Sequence, residues 1–463
     1  MEPITYANIE VEGFPFKKLL SLHIDHRPNE HGIASLEGEV EADTAKDLVQ
    51  RIDEKKLVKI TTDAEGQKNK TLFCGKVKDI ALRQENEYGI ISLSLYTTSR
   101  ILDVKKKSKT YQQTSKTYKE IISDSISEEK GELNITISDK AIEHLIMKYD
   151  ETDWEFALRM ASKLEAPLVA DITAEDPYLC VGLPPEKEVE PIDSKEFSYT
   201  SKVEDYTKMS GAMLQDFAGD QAKSYAYAYI GNMVTINGST TRIKGVHAVL
   251  VDGILHMTYD LMPAGGSVVG IAAPKVQSRA VGKMMKGIVK KVEGDSVQVH
   301  LPDIDDEYDD NGDWYFQFST SYSSSDGSGW YCMPEVDDMV RIFFPTGEEE
   351  YAFAASAVFA QPPKNPRNKS WKAPGGKEIL LTDEGMYIIG KSGKMYINLI
   401  DDKGVEIYSD KVINVMSDKQ VNICAANQVQ IVASNEIVIG TEDAYIDIDK
   451  GTAVLAAKKV LIN

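Results

Sequence analysis

The chain has 463 residues, 42% hydrophobic and 27% charged, an ordinary globular composition with length for roughly three domains. Asp and Glu number 73 against 52 Lys and Arg, a formal charge of −21. So acidic a balance argues against nucleic acid or an anionic membrane surface as partner, since both need clustered positive charge. No apolar run approaches the length of a membrane span. The opening stretch Met1–Gly13 lacks the basic and apolar regions of a secretory signal, so assembly in the cytoplasm is expected. Cys74, Cys180, Cys332 and Cys424 have no CxxC spacing and read as reduced thiols, neither a disulfide framework nor a zinc site.

From Tyr6 to about Val104 the pattern is short and strand-like, with Leu19–Ile24, Leu57–Thr62 and Ile90–Tyr96 as examples. Turn-forming stretches such as Asp63–Lys70 separate these runs, which predicts a small barrel or sandwich. Two helices follow. Thr114–Ile126 carries Tyr118, Ile121, Ile122 and Ile126 on one face. In the second, Thr152 caps the helix and Glu155 reaches back to it; Trp154, Ala157, Leu158, Ala161 and Leu164 then recur at helical spacing until Pro167. Such a stripe is first of all core.

Residues 196–275 again read as β structure, with Tyr225–Asn232 and Ala248–Asp252 as predicted strands. From about Gly282 to Val358 come five short strands: Lys286–Val292, Ser296–Leu301, Trp314–Phe318, Met339–Phe344 and Ala352–Ala357. Five strands in this span predict an OB-like barrel over 282–360. Gln361–Lys377 holds Pro362, Pro363, Pro366 and Pro374 and then Gly375-Gly376, the composition of a stiff linker.

The last segment, 378–463, is periodic. Stepping by eight gives Leu381, Ile389, Ile397, Val405, Ile413, Val421, Val429 and Ile437, every one aliphatic. Two residues on, Leu399, Ile407, Val415, Ile423, Ile431 and Ile439 form a second unbroken series. Polar residues such as Asn398, Glu406, Asn414, Asn422 and Gln430 stand between, and turns such as Ser409-Asp410-Lys411 close each unit. This is a period-two strand followed by a corner. The phase slips by one residue near Asp443–Tyr445 and resumes as Ile446, Val454 and Ile462, which predicts a bulge or altered turn. One narrow apolar face per octad leaves a single chain with open edges and uncovered side chains. Three chains about one axis would turn every such face inward, so these fourteen aliphatics are the expected core of an intertwined trimeric β-helix on the order of 50 Å long. A single-chain parallel β-helix is the alternative, but it needs several distinct faces to close, and these octads are nearly identical.

The fold class expected is therefore mainly β with a few α-helices: a barrel-rich segment over 1–275, the OB barrel, the linker and the octad prism. That order resembles the VgrG proteins of type VI secretion systems and the hub and needle proteins of contractile phage tails and R-type bacteriocins. Tyr149–Ala161, with its Thr152-Asp153-Trp154 start and following Arg159, resembles the family's hub helix. Gly287-Ile288-Val289, Gly329-Trp330-Tyr331 and Met333–Val340 resemble its OB domain, with Asp337 where the family usually has Gly. The resemblance implies a homotrimeric hub that caps an inner tube and a spike driven through a target envelope when a sheath contracts. It also implies tube and baseplate proteins as partners, in a phage tail, bacteriocin or secretion-system particle. Some members carry a lysozyme-like insert or a C-terminal effector; neither is expected here, since the linker leads directly to the octads. Some spikes of this kind hold a metal at the tip through His; the segment Ala456–Asn463 has none, so a separate PAAR-like cap is expected instead.

Catalytic, cofactor and metal sites are not expected. His23-Ile24-Asp25-His26 with His31 nearby could ligate a metal, His23 and Asp25 sharing a strand face, but a polar strand end is the plainer reading. The loop Asp303–Asp313 fails the calcium-loop pattern, since Glu307 replaces the first Asp and Phe318 falls at the bidentate position. Gly327-Ser328-Gly329 lacks a nucleophile elbow. A cell-wall- or polysaccharide-degrading β-helix enzyme is the alternative function; it would require a carboxylate-lined groove and a catalytic domain.

Overall fold

The computed structural model describes residues 2–51, 53, 56–85, 88–187, 196–201, 218–236, 239–263, 266–276, 278–359, 364–391, 393–441, 443–449 and 451–460. Pro362, Pro363 and Ile462 lie outside the described residues. The chain divides into two compact units, Met1–Ala360 and Gln361–Asn463.

The first unit begins with β1 (Ile9–Val11), β2 (Lys18–His26), β3 (Ile33–Glu41), α1 (Ala42–Gln50), β4 (Leu57–Thr62), β5 (Lys70–Glu85) and β6 (Tyr88–Thr97). In β2 the alternation buries Leu22, Ile24 and His26 on one face and leaves His23 and Asp25 half-buried on the other. A helix-bearing region follows: β7 (Lys107–Tyr111), α2 (Tyr118–Ile126), β8 (Glu132–Ile135), β9 (Ile146–Glu151), α3 (Asp153–Lys163), β10 (Leu168–Ala170) and β11 (Tyr178–Val181). Then come β12 (Glu196–Ser201), β13 (Ala218–Ser224), β14 (Met233–Ile236), β15 (Ser239–Val251) and β16 (Ile254–Pro263).

The two β-rich segments are not separate barrels. They make one 11-stranded sheet in the order β1-β4-β5-β6-β3-β2-β15-β16-β13-β12, with β14 on β15. The seam is β2 against β15, antiparallel, with Val249 opposite His23 and His247 opposite Asp25. Both halves contribute to one core: Leu22, Ile24, Leu36, Ile60 and Phe73 pack with Val246, Ala248, Met257, Tyr259 and Leu261. Each fully buried Leu or Ile contributes about 1.5–3 kcal/mol by leaving water.

Tyr225–Asn232, predicted as a strand, is irregular, because β13 ends at Ser224. Its alternating Ala and Tyr residues serve tertiary contacts instead. The Tyr227 hydroxyl donates to the Leu72 carbonyl at 2.9 Å and the Tyr229 hydroxyl to the Thr71 carbonyl at 2.6 Å, while the Ala228 amide donates to the Tyr259 hydroxyl at 2.9 Å. A buried tyrosine hydroxyl needs a partner, and here that need outweighs ladder pairing.

Both helices of the middle region open with capping boxes, Thr117 with Glu120 and Thr152 with Glu155, which satisfy amides that the first turn leaves open. Their apolar faces form a second core: Tyr118, Ile121 and Ile122 meet Trp154, Phe156 and Met160.

All five strands expected between 282 and 360 are present: β17 (Met284–Glu293), β18 (Ser296–His300), β19 (Phe316–Gln317), β20 (Met339–Phe343) and β21 (Phe353–Ala355). They pair in the order β19-β18-β17-β20-β21. A parallel bridge between Phe318 and Ala354, with the Ser319 amide donating to the Ala354 carbonyl at 2.7 Å, joins the two ends and closes the sheet on itself. Val289, Val297, Val299, Phe316, Val340 and Ile342 fill the interior. Asp337 lies in the left-handed region at φ 70°, which accounts for glycine being usual there. The turn survives because its amide donates to the Val289 carbonyl at 2.8 Å.

In the second unit β22 (Lys369–Lys372), β23 (Glu378–Leu381), β24 (Gly385–Ile389), β25 (Met395–Ile400) and β26 (Gly404–Ser409) form an antiparallel meander. β27 (Glu436–Thr441), β28 (Ala444–Asp449) and β29 (Thr452–Ala456) form another. Residues 410–435 carry no strand. Within the chain each strand of these meanders pairs antiparallel with the strand before and after it. The slip in phase falls at the turn from β27 to β28, where Thr441 pairs with Ala444.

Candidate assembly surfaces

The first unit is held together by a buried ionic joint that joins α3 to the closed sheet. From its side of the helix, Arg159 is fully buried. Its Nε and Nη2 donate to the two Glu151 carboxylate oxygens, both at 2.8 Å, a bidentate fork at the end of β9. Nη2 also donates to the Met147 carbonyl and Nη1 to Glu349 Oε1, each at 2.8 Å, and Glu349 is just before β21. Burial alone would pull the guanidinium down, but Glu349 and Glu151 beside it hold it above its ordinary value. Lys163, one turn on, pairs with Glu348. On the exposed rim Arg279 grips Glu155 through both oxygens, its Nη1 lying 2.9 Å from Oε2.

The acidic loop supplies a second tie. Asp305 Oδ1 accepts from the Thr110 amide at 2.8 Å, and Asp313 Oδ1 from the Thr114 amide at 2.8 Å. Gln112 between them donates from Nε2 to the Val299 carbonyl at 3.1 Å and accepts from the Asp313 amide at 3.0 Å. These carboxylates fasten the loop after β18 to β7 and the segment that follows it. Leu145 and Met147 complete the seal, packing into the core of the closed sheet. The sequence marked Arg159 only as a family residue; its partners at 151 and 349 lay too far apart in the chain to be read.

The candidate polar groups of the N-terminal strands disperse. His26 is buried under the sheet, its Nε2 2.8 Å from the Ala170 carbonyl, and burial pushes it down to about 4. His31 sits on Trp154 with Nδ1 2.9 Å from the Ser99 hydroxyl and Nε2 3.6 Å from Asp103. This Ser-His-Asp grouping has Ser99 fully buried, so no substrate reaches its hydroxyl. His23 and Asp25 stay on the outer face, and β15 brings His247 to them: His23 Nε2 lies 3.1 Å from His247 Nδ1, which lies 3.4 Å from Asp25 Oδ2. The sequence held no local signal for His247. Cys74 and Cys180 are buried, each thiol pushed up to about 11 by burial, whereas Cys332 and Cys424 are exposed.

The second unit differs in kind. Among its described residues none is buried. Of the fourteen octad aliphatics, Ile389 and Ile437 are half-buried; the rest are exposed, from 38% at Ile397 to 73% at Val415. Ile397 faces Ile388 and Ile407, and Leu399 faces Val405, so the aliphatics align across strands as a ladder. Trp371, Ile379, Ile388, Met395, Ile407 and Ile413 line an apolar groove of about 520 Å³. Exposed apolar patches of this extent commonly mark interaction surfaces.

Neither a family model nor a curated protein sequence matches this chain. Solved structures do. One is the E. coli c3393 protein, described as a component of the type VI secretion system with structural similarity to the T4 bacteriophage tail proteins gp27 and gp5. It aligns with a TM-score of 0.53 at 12% identity, over 76% of this chain and 99% of that one. Another is the Francisella PdpA-VgrG complex in its lidless form, with a TM-score of 0.53 at 9% identity, over 86% of this chain and 97% of that one. At such identities the likeness is one of architecture: this chain's fold is similar to that of the c3393 protein and of the PdpA-VgrG complex.

Proposed function

We propose that the chain is the structural hub and spike of a contractile injection machine and works as a homotrimer without catalysis. The observation that carries this reading is the second unit, where an aligned aliphatic ladder stays exposed and no described residue is buried. A segment that buries nothing cannot offset its conformational entropy alone. Covering the ladder contributes on the order of 1 kcal/mol for each half-exposed aliphatic, against the repulsion among chains that each carry −21.

On this reading residues 1–275 are the hub that receives the inner tube and meets the baseplate proteins, and 282–360 an OB barrel. The strand order and the parallel closing bridge support that barrel. Residues 361–377, which include β22 paired to the first spike strand, lead from it into the spike, 378–463, an intertwined β-helix whose axis the octad aliphatics line. The spike crosses the target envelope behind a PAAR-like cap, at the baseplate tip of a phage-tail-like particle. On this reading the Arg159 joint ties hub to barrel, its bidentate pair adding geometric specificity to the apolar packing there. The double substitution Ile413→Asp with Val421→Asp tests this: it is expected to abolish a heat- and detergent-resistant trimer by burying unpaired carboxylates at the axis. A variant that keeps the wild-type trimer band would contradict the proposal.

A further inference from the structure

The seam between the two halves of the hub sheet carries three metal-ligating side chains on one outer face. His23 and Asp25 are two apart on β2, and His247 stands opposite Asp25 on β15. Their ligand atoms all lie within 4.8 Å of one another. Zinc binds imidazole nitrogen and carboxylate oxygen at about 2.0–2.2 Å, so neighbouring ligands of a tetrahedral shell stand roughly 3.3–3.4 Å apart. The separations here are 3.1 Å from His23 Nε2 to His247 Nδ1 and 3.4 Å from His247 Nδ1 to Asp25 Oδ2. Two of the three edges are thus close to those of such a shell, and the third lies within 4.8 Å.

We propose that His23, Asp25 and His247 bind a divalent first-row transition metal of the zinc class, which staples β2 to β15 and leaves one coordination position to solvent. The support around the ligands fits this. Arg27 clamps Asp25, its Nε 2.9 Å from Oδ1 and its Nη2 3.0 Å from Oδ2, which fixes the carboxylate's orientation while Oδ2 keeps a second lone pair. Both strands are locked by ladder pairing, so the ligands need no large movement to close on the ion.

The site ties residues 224 positions apart in the chain, one from each half of the sheet. A cross-link of that span removes freedom from the unfolded chain and should raise the thermal midpoint. The test uses the untagged full-length protein, stripped with chelator and titrated with zinc chloride by calorimetry. Uptake of one zinc per chain is expected, with a raised melting temperature. His247→Ala and His23→Gln, each checked for wild-type circular dichroism, are expected to lower the affinity at least ten-fold. No uptake by the wild type, or a smaller loss in both folded variants, would overturn the site.

Discussion

Replacing Arg159 by Met keeps most of the side-chain volume and deletes the guanidinium. The structure sets the consequence. Glu151 loses both of its partners at 2.8 Å, and Glu349 loses Nη1 at 2.8 Å. Both carboxylates are nearly inaccessible, at 2% and 1% exposure. The nearest remaining cation for Glu349 is Lys163, at 3.8 Å and already paired with Glu348. Breaking a buried pair by removing one partner costs about 3–5 kcal/mol, because carboxylates cut off from water lose their hydrogen-bonded counter-ion. Arg159→Met should therefore lose about that much in urea unfolding of the full chain followed by tryptophan fluorescence, with Trp154 on the same helix as reporter. Adding Glu151→Gln and Glu349→Gln should recover most of it, since two neutral amides are cheaper to bury than two carboxylates. A single variant within about 1 kcal/mol of wild type would refute the claim that this joint is desolvated and ionic.

Three further outcomes follow from particular residues. His26 is held at about 4 in the folded chain against an ordinary 6.5, so the unfolded chain binds its proton first as pH falls. Stability should drop between pH 6.5 and 4 by roughly 3 kcal/mol from this group, and His26→Gln should flatten that part of the pH profile in thermal melts. Asp337→Val should cost about 1–2 kcal/mol, because a β-branched residue is strained at the left-handed φ of 70°, whereas Asp337→Gly should not lose stability; equal losses in both would contradict the turn's assignment. Thr152→Ala removes the hydroxyl that accepts from the Glu155 amide at 3.1 Å and donates to Asp103 at 2.7 Å; it should lower unfolding stability by about 1–2 kcal/mol, with Thr152→Ser close to wild type.

What the sequence disclosed and what it concealed divide along contact range. The Thr152 and Glu155 capping box, the five short strands after Gly282 and the octads are local patterns, set by neighbours within a turn or a strand. The β2–β15 seam, the reach of Arg159 to Glu349 and the approach of His247 to His23 join residues far apart in the chain, and no local period encodes them. Tyr225–Asn232 misled because alternation of small and aromatic residues mimics a strand when the aromatics are in fact anchoring to β5. α1 (Ala42–Gln50) escaped notice because its apolar face is short, Ala45 buried and Leu48 and Val49 half-buried over nine residues. The acidic loop was legible as a connection but not as a fastening, since its amide donors at Thr110 and Thr114 lie nearly two hundred positions earlier.

The central claim is that the exposed aliphatic ladder of the second unit exists to be covered by two further copies of the same chain. Sedimentation equilibrium of the purified full-length protein measures this directly. The account predicts a single species of three times the chain mass that does not dissociate on dilution. A monomer at micromolar concentration, with the ladder still in water, would contradict it.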